Sequence, residues 1–189
     1  MQRRQKPNPV DAAVSAAGTL PKQATRPPRD GFIAANLPLQ LCQIEISIRE
    51  QRLTLKRGNE TLRSYPISTS RFGIGTEEGS FKTPTGRFRV AEKIGADTPS
   101  GTIFRGRVPL GPNDPRPATE DLVMSRILWL DGLDEDNVNT RDRFIYIHGT
   151  KHEDKIGSPA SHGCIRMRNA DVIELFDLVD AETQVLIRE

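Results

Sequence analysis

Only two cysteines, Cys42 and Cys164, occur among the 189 residues. Two thiols cannot build the disulfide framework that stabilises small secreted domains, so both are interpreted as free thiols, with Cys42 as a small buried hydrophobe. Aromatic residues make up 5% and all hydrophobic residues 35% of the chain, which predicts one compact domain with a lean core. No apolar run approaches the roughly 18 residues of a membrane-spanning helix.

A strong excess of one charge is also missing, since the formal net charge is +2. Residues 1–30 contain six basic and two acidic side chains, which leaves 21 basic and 23 acidic side chains in 31–189. The slight negative balance of that larger part excludes a basic nucleic-acid-binding surface. The basic first 30 residues are typical of a solvated leader.

The N-terminal residues have little periodic apolar pattern. Six prolines lie in residues 1–40, which predicts a flexible, Pro-rich, basic leader before a catalytic domain at 41–189. Arg3-Arg4 is followed by Lys6 and Pro7, where an export signal would have its apolar stretch. We therefore expect a cytoplasmic location for the chain as written, and a periplasmic or cell-envelope location if the protein has an export signal that this sequence does not include.

Short alternating segments dominate the rest of the chain. Apolar and polar residues alternate over 44–48 and 53–55, and further strands are predicted at 65–68, 88–91, 127–130, 144–147 and 185–187. One helix is predicted after Cys164, with Asn169 as its N-cap. This pattern predicts a mainly β domain, an antiparallel sandwich or barrel-like fold with one clear helix. The Gly- and Pro-rich segment 95–120 is interpreted as a surface excursion rather than a lid.

The segment Ser161-His162-Gly163-Cys164-Ile165-Arg166 is the most informative stretch. A thiol becomes a nucleophile when nearby groups favour its thiolate, and here an imidazole and a guanidinium lie two residues to either side. The following helix adds positive potential, and the N–H groups of Gly163 and Cys164 could face an oxyanion. A buried structural cysteine is the alternative, but such residues usually have apolar neighbours.

The sequence has three histidines that could serve Cys164 as a base. His148 ends an apolar segment beside a loop, where a rigid scaffold holds catalytic side chains. His162 would share a face with Cys164 if the segment were a strand. His152 lies in a polar run and is expected to be solvated. His148 is therefore the first candidate for the base and His162 the second.

The same side chains could instead bind zinc, which favours nitrogen and sulfur ligands. His148 and His152 have the i, i+4 spacing, but Gly149-Thr150 lies between them and follows a strand, and the helical two-histidine motif with its Glu is missing. A metal hydrolase is therefore disfavoured, and no cofactor is expected.

Two motifs together resemble a known family. Ile147-His148-Gly149-Thr150, followed by Ser161-His162-Gly163-Cys164-Ile165-Arg166-Met167, is similar to the catalytic signature of the L,D-transpeptidases, the YkuD-type domain. Weaker agreement is found at 65–69 and 83–86, and the resemblance covers about residues 43–188. It implies a β-sandwich with a cysteine nucleophile that acts, independently of metals, on peptidoglycan stem peptides or muropeptides.

The resemblance also implies residue roles. Cys164 would attack the carbonyl of the L-centre of diaminopimelate before a terminal D-alanine, and His148 would move the proton while the Gly149 carbonyl orients its imidazole. Ser161, His162 and Gly163 would shape the oxyanion side. Many relatives have Asn at the position of Arg166, so this chain follows an arginine variant, and this cation could hold a substrate carboxylate.

The acyl acceptor stays open at this point. An amine acceptor gives a 3→3 cross-link, and water gives a trimmed tripeptide, the L,D-carboxypeptidase reaction of muropeptide recycling. A non-catalytic peptidoglycan-binding module is a third hypothesis, which would not need the cysteine and histidine that are present. The sequence predicts no oligomeric state.

Overall fold

Residues 42–115 and 121–189 are described by a computed structural model. The predicted leader 1–40 lies outside these ranges, so the domain boundary at residue 41 stays a prediction. The strands are β1 (Cys42–Ser47), β2 (Arg52–Arg57), β3 (Glu60–Pro66), β4 (Gly86–Ile94), β5 (Ile103–Arg105), β6 (Val108–Pro109), β7 (Val123–Gly132), β8 (Tyr146–Gly149), β9 (Ile165–Met167) and β10 (Gln184–Arg188). One α-helix, α1 (Asn169–Leu178), and two 3-10 helices, Glu135–Thr140 and Glu153–Lys155, complete the described elements.

All ten strands belong to one mixed sheet. Its order is β3-β2-β1-β10-β4-β7-β5-β6, with β8 also paired to β7 and β9 paired to β8. Most pairs are antiparallel, while β1 with β10 and β8 with β9 are parallel. The prediction of a mainly β fold with one helix after Cys164 is confirmed, and the two parallel pairs are an addition to it.

The main core follows from the alternation along the outer strands. Ile44 and Ile46 of β1 are almost fully buried, as are Leu53 and Leu55 of β2, and their intervening residues face outward. Cys42 is a free thiol and packs partly buried against this core. Burying one such aliphatic side chain contributes roughly 1.5–3 kcal/mol to the free energy of folding, so these two strands make a substantial contribution to the stability of the domain.

The central strands β7 and β8 are buried on both faces. Leu128 and Ile147 face the main core, whereas Ile127, Trp129 and Tyr146 form a second apolar cluster with other residues. Because side chains alternate along a strand, successive residues of these two strands belong to different clusters. The second cluster lies on the face of the sheet that carries Cys164.

The predicted start of the helix differs from the structure by one residue. The N-cap of α1 is Arg168, and Asn169 is the first helical residue. The Asn169 side chain instead donates to the Thr150 carbonyl at 2.8 Å and to a Glu153 carboxylate oxygen at 2.7 Å. The predicted cap was wrong because Asn169 Oδ1, the atom that would accept from the helix N–H groups, accepts from the Ser125 hydroxyl instead.

The segment 95–120 contains regular structure in its described part. β5 and β6 form a hairpin, and β5 pairs with the start of β7. These strands were not predicted, because three and two residues are too short to show a pattern of alternation. Residues 116–120 lie outside the described residues.

Candidate active site

The sheet places three of the predicted site residues on one face. His148 and Arg166 are directly paired across β8 and β9, and Cys164 immediately precedes β9. Ile165 and Met167 point into the main core, so by alternation Cys164 and Arg166 point to the opposite face. His148 is paired with Ile127 on that same face. Pairing of β8 with β9 therefore brings together residues that are 16 or more positions apart in the chain.

The Cys164 thiol lies against the backbone that leads into β8. Its Sγ donates to the Phe144 carbonyl at 3.3 Å and accepts a hydrogen bond from the Tyr146 N–H at 3.4 Å. The strand predicted at 144–147 begins at Tyr146, because Phe144 has a φ of 56° and turns out of the extended conformation. In this geometry, Sγ has no hydrogen bond to His148 within the described residues.

The surroundings of the thiol favour its neutral form. Withdrawal from water raises the pKa of Cys164 to about 12, with a further contribution from the Asp121 charge. The Tyr146 N–H and the charges of Arg166 and Arg143 oppose that change but do not outweigh it. The flanking guanidinium of Arg166 therefore lowers the pKa of Cys164 as expected, but desolvation outweighs it and the thiol stays protonated.

His148 is a buried, neutral imidazole. Only 1% of it is exposed, and burial lowers its pKa, although Asp121 and the hydrogen bond with Gly149 act in the opposite direction. Its Nδ1 lies 2.7 Å from the Gly149 carbonyl oxygen. A carbonyl can only accept, so Nδ1 carries the proton and Nε2 is left with a lone pair. The imidazole is therefore set up to receive a proton at Nε2.

A tight turn, not a strand, precedes Cys164. Gly163 has a φ of 116°, and a Cβ there would lie 3.3 Å from the Lys82 carbonyl and from the Ile145 side chain. Ser161 Oγ donates to the Cys164 carbonyl at 2.6 Å and accepts from the Gly163 N–H at 3.3 Å. The idea that His162 and Cys164 share a strand face is thus wrong, because glycine and the serine hydroxyl hold the chain in a turn.

A polar cluster joins the remaining predicted residues. One carboxylate oxygen of Asp121 lies 2.6 Å from Arg166 Nη2 and 3.0 Å from His162 Nδ1, and Arg71 contacts His162 Nε2 at 2.9 Å. Burial acts to raise the pKa of Asp121, but the hydrogen bond and charge of Arg166, together with His148 and the hydrogen bond from His162, more than offset it and keep the pKa below its ordinary value. Arg166 itself is 3% exposed.

Asp121 and Arg71 were missed by sequence reasoning. Asp121 lies 41 positions before His162 and Arg71 lies 91 positions before it. Neither belongs to a local motif, so only their tertiary position connects them with the site. No predicted strand began next to Asp121, and a single acidic residue in a polar segment is too common to have identified it.

The structure also bears on the alternative of a zinc site. His152 lies at the N-cap of the 3-10 helix Glu153–Lys155. Residues 42–115 and 121–189 contain no group of three or more His, Cys, Asp or Glu side chains arranged to hold a metal ion.

In the same ranges no helix has the length and apolar character that crossing a membrane requires.

A mainly β domain in which a buried histidine shares a sheet face with a cysteine has the arrangement of a cysteine-dependent acyl-transfer domain. The family model of the L,D-transpeptidase catalytic domain, YkuD, matches residues 43–187. The chain belongs to this family, as the two motifs indicated.

Individual relatives agree with this assignment. The chain is 33% identical over 144 residues to the YkuD protein of Bacillus subtilis (strain 168), covering 76% of this chain and 64% of that one. It is 29% identical over 177 residues to YbiS of Escherichia coli (strain K12), covering 84% and 50%.

The fold agrees with a solved structure. The crystal structure of an L,D-transpeptidase from Xylanimonas cellulosilytica superposes with a TM-score of 0.53 at 21% identity, covering 87% of this chain and 65% of that one. This similarity concerns the fold alone. The chain spans less than two thirds of the length of each of the three proteins.

Proposed function

We propose that this protein is a cysteine acyltransferase that acts on peptidoglycan stem peptides, with Cys164 as nucleophile and His148 as base. The observation that carries the proposal is the arrangement of His148, whose Nδ1 is bonded to Gly149 O on the sheet face shared with Cys164. A neutral imidazole with a free Nε2 is the form that can accept a thiol proton. Membership of the L,D-transpeptidase family supports the choice of substrate.

The reaction begins when substrate displaces the thiol from the Phe144 carbonyl. His148 Nε2 takes the proton of Cys164, and the sulfur attacks the carbonyl carbon of diaminopimelate that precedes a terminal D-alanine. His148 then returns the proton to the leaving nitrogen as the C–N bond breaks. The products of this half-reaction are a thioester on Cys164 and free D-alanine, and the imidazole is neutral again.

The turn before Cys164 supplies the oxyanion side of the proposed site. In the resting geometry the Gly163 N–H is engaged with Ser161 Oγ at 3.3 Å, which leaves the Cys164 N–H as the first donor in the proposal. The Ser161 hydroxyl holds the Cys164 carbonyl, so it orients the peptide unit that follows the nucleophile. Preorganised N–H donors of this kind are among the largest contributions to acyl transfer.

Arg166 has a different role in this proposal from the substrate contact considered in the sequence analysis. Its burial and its ion pair with Asp121 support a positioning role, in which Arg166 and His162 are held by one carboxylate. The charge of Asp121 also acts to raise the pKa of His148. Asp121 thereby stabilises the imidazolium that forms when the thiol loses its proton, whereas the charge of Arg166 acts in the opposite direction.

Transfer of the acyl group to an amine of a second stem peptide completes the proposed reaction and forms a 3→3 cross-link. Attack by water on the same thioester instead releases a tripeptide, which is the carboxypeptidase reaction. The residues described above serve both reactions equally, so the product distinguishes them.

The test is mass spectrometry of products after incubation of the full chain with a disaccharide-tetrapeptide. We expect a cross-linked dimer and free D-alanine from the unmodified protein and from Cys42→Ala, and neither product from Cys164→Ala. Trimmed tripeptide without dimer would replace the transferase by the carboxypeptidase. Equal turnover by Cys164→Ala would contradict the proposed nucleophile.

A further inference from the structure

Arg143 lies just before β8 and is held in place by neutral groups. Its Nη1 donates to the Gly75 carbonyl at 3.2 Å, and its Nη2 donates to the Lys82 carbonyl at 2.8 Å and to Ser80 Oγ at 3.4 Å. A guanidinium has five N–H donors. Two of them therefore have no hydrogen-bond partner in the described part of the chain, although the side chain is fixed in position.

The charge of Arg143 is not neutralised at close range. Arg89 pairs with Asp131, and Arg166 pairs with Asp121, but Arg143 forms no ion pair within residues 42–115 and 121–189. Glu77 attracts the guanidinium only at longer range. Burial is the main influence on the pKa of Arg143 and lowers it, but the ordinary pKa of an arginine is so high that the group stays charged. A half-buried cation without a counter-charge lowers the stability of the fold, and a bound anionic ligand would offset that loss.

Arg143 is one of the residues that line a small cleft near the proposed nucleophile. The cleft has a volume of about 110 Å³ and is lined by Glu78, Gly79, Phe81, Arg143, Ile145 and His162. Ile145 lies between the two residues whose backbone contacts Cys164 Sγ. Arg143 lowers the pKa of Cys164, and Cys164 in turn acts to raise the pKa of Arg143. The cation is thus within electrostatic reach of the reacting sulfur.

We propose that Arg143 is a specificity-determining residue that binds the free C-terminal carboxylate of the acyl donor in this cleft. This inference rests on the proposed function, since it assigns the cleft to the residue that leaves when the thioester forms. Guanidinium and carboxylate are matched in charge and planar geometry. The preferred donors are therefore peptides whose leaving amino acid carries a free carboxylate, and blocked or extended peptides are disfavoured.

The first experiment compares a tetrapeptide donor with its C-terminal amide. For the unmodified protein we expect kcat/KM to be higher for the acid, and in Arg143→Gln this preference should fall by about tenfold, the effect of one charge-assisted hydrogen bond. Arg63→Gln removes the same charge from an exposed pair with Glu174 and should leave the preference unchanged. Equal loss on both substrates would show a purely structural role and overturn the inference.

A second experiment needs no peptide and therefore separates this inference from the proposed function. In the Cys42→Ala background, Cys164 is alkylated with anionic iodoacetate and neutral iodoacetamide. Arg143→Gln should lower the ratio of the two rates several-fold, and Arg143→Lys should retain part of it because the charge remains. An unchanged ratio in both variants would refute an accessible cation beside Sγ. A lowered ratio together with no peptide turnover would contradict the proposed function alone.

Discussion

The protonation state of Cys164 leads to a quantitative prediction about its reactivity. Removal of the thiol from water raises its pKa to about 12, whereas an ordinary cysteine has a pKa near ~8.5. Because the thiolate is the nucleophile, alkylation of Cys164 in the free protein should be slow at neutral pH and should continue to accelerate into the alkaline range.

The size of this effect follows from two opposing terms. At about pH 7.5 an ordinary cysteine is roughly 10% thiolate, while a thiol with a pKa of about 12 is roughly 0.003% thiolate. A more basic thiolate is also a better nucleophile, by roughly 25- to 55-fold over a difference of about 3.5 pKa units. The two terms combine to a rate roughly 50- to 100-fold below that of an ordinary cysteine.

The assay is iodoacetamide labelling of the Cys42→Ala variant, followed by mass spectrometry from pH 6 to pH 11. Glutathione and the same variant unfolded in urea are the reference thiols, and circular dichroism checks that the fold persists at each pH. We expect the logarithm of the rate to rise linearly with pH up to about 11. A plateau at or below pH 8 would refute the reasoning, because it would show a thiolate already paired with a protonated His148.

Three substitutions test the contacts around the site. Asp121→Asn leaves the buried Arg166 without its counter-charge and should lower the free energy of unfolding, measured with denaturant, by about 3 kcal/mol. The folded state lowers the pKa of Asp121, so the stabilisation from this carboxylate is present above its ordinary pKa near ~4. It is lost as the pH falls through the folded-state pKa. Ser161→Ala removes the hydroxyl that bonds the Cys164 carbonyl and should cost about 1–3 kcal/mol. Gly163→Ala should cost at least about 2 kcal/mol, since its φ of 116° suits only glycine and the added Cβ meets the Lys82 carbonyl.

Each substitution has a matched control on the same chain. Glu174→Gln breaks an exposed ion pair and should cost less than about 1 kcal/mol. Ser158→Ala removes an exposed hydroxyl contact and should have little effect. Gly79→Ala has a φ of 72° and free space around the added Cβ, so about 1–2 kcal/mol of backbone strain is expected. A control that costs as much as its partner would contradict the argument for that partner.

Much of the fold could be predicted because its signal is local. The alternation at Ile44 and Ile46, and again at Leu53 and Leu55, marks strands with one buried face, and the single amphipathic helix was visible from its apolar spacing. Strand β9 escaped prediction, because its three residues are held by pairing with β8 rather than by their own pattern. Asn169 was misplaced for a similar reason, since its partners Thr150 and Glu153 come from another part of the chain.

The motifs around His148 and Cys164 indicated the proposed class of chemistry without any knowledge of the structure. A cysteine after glycine and serine, with a histidine at the end of an apolar segment, limits the site to a few arrangements, and these motifs are short enough to read directly. The protonation of Cys164 could not be predicted from the sequence, because desolvation depends on which residues surround the sulfur in the fold. The same holds for Asp121 and Arg143, which lie far from the nucleophile in the chain. Charge and burial act through space, so these partners became visible only when the strands had been brought side by side.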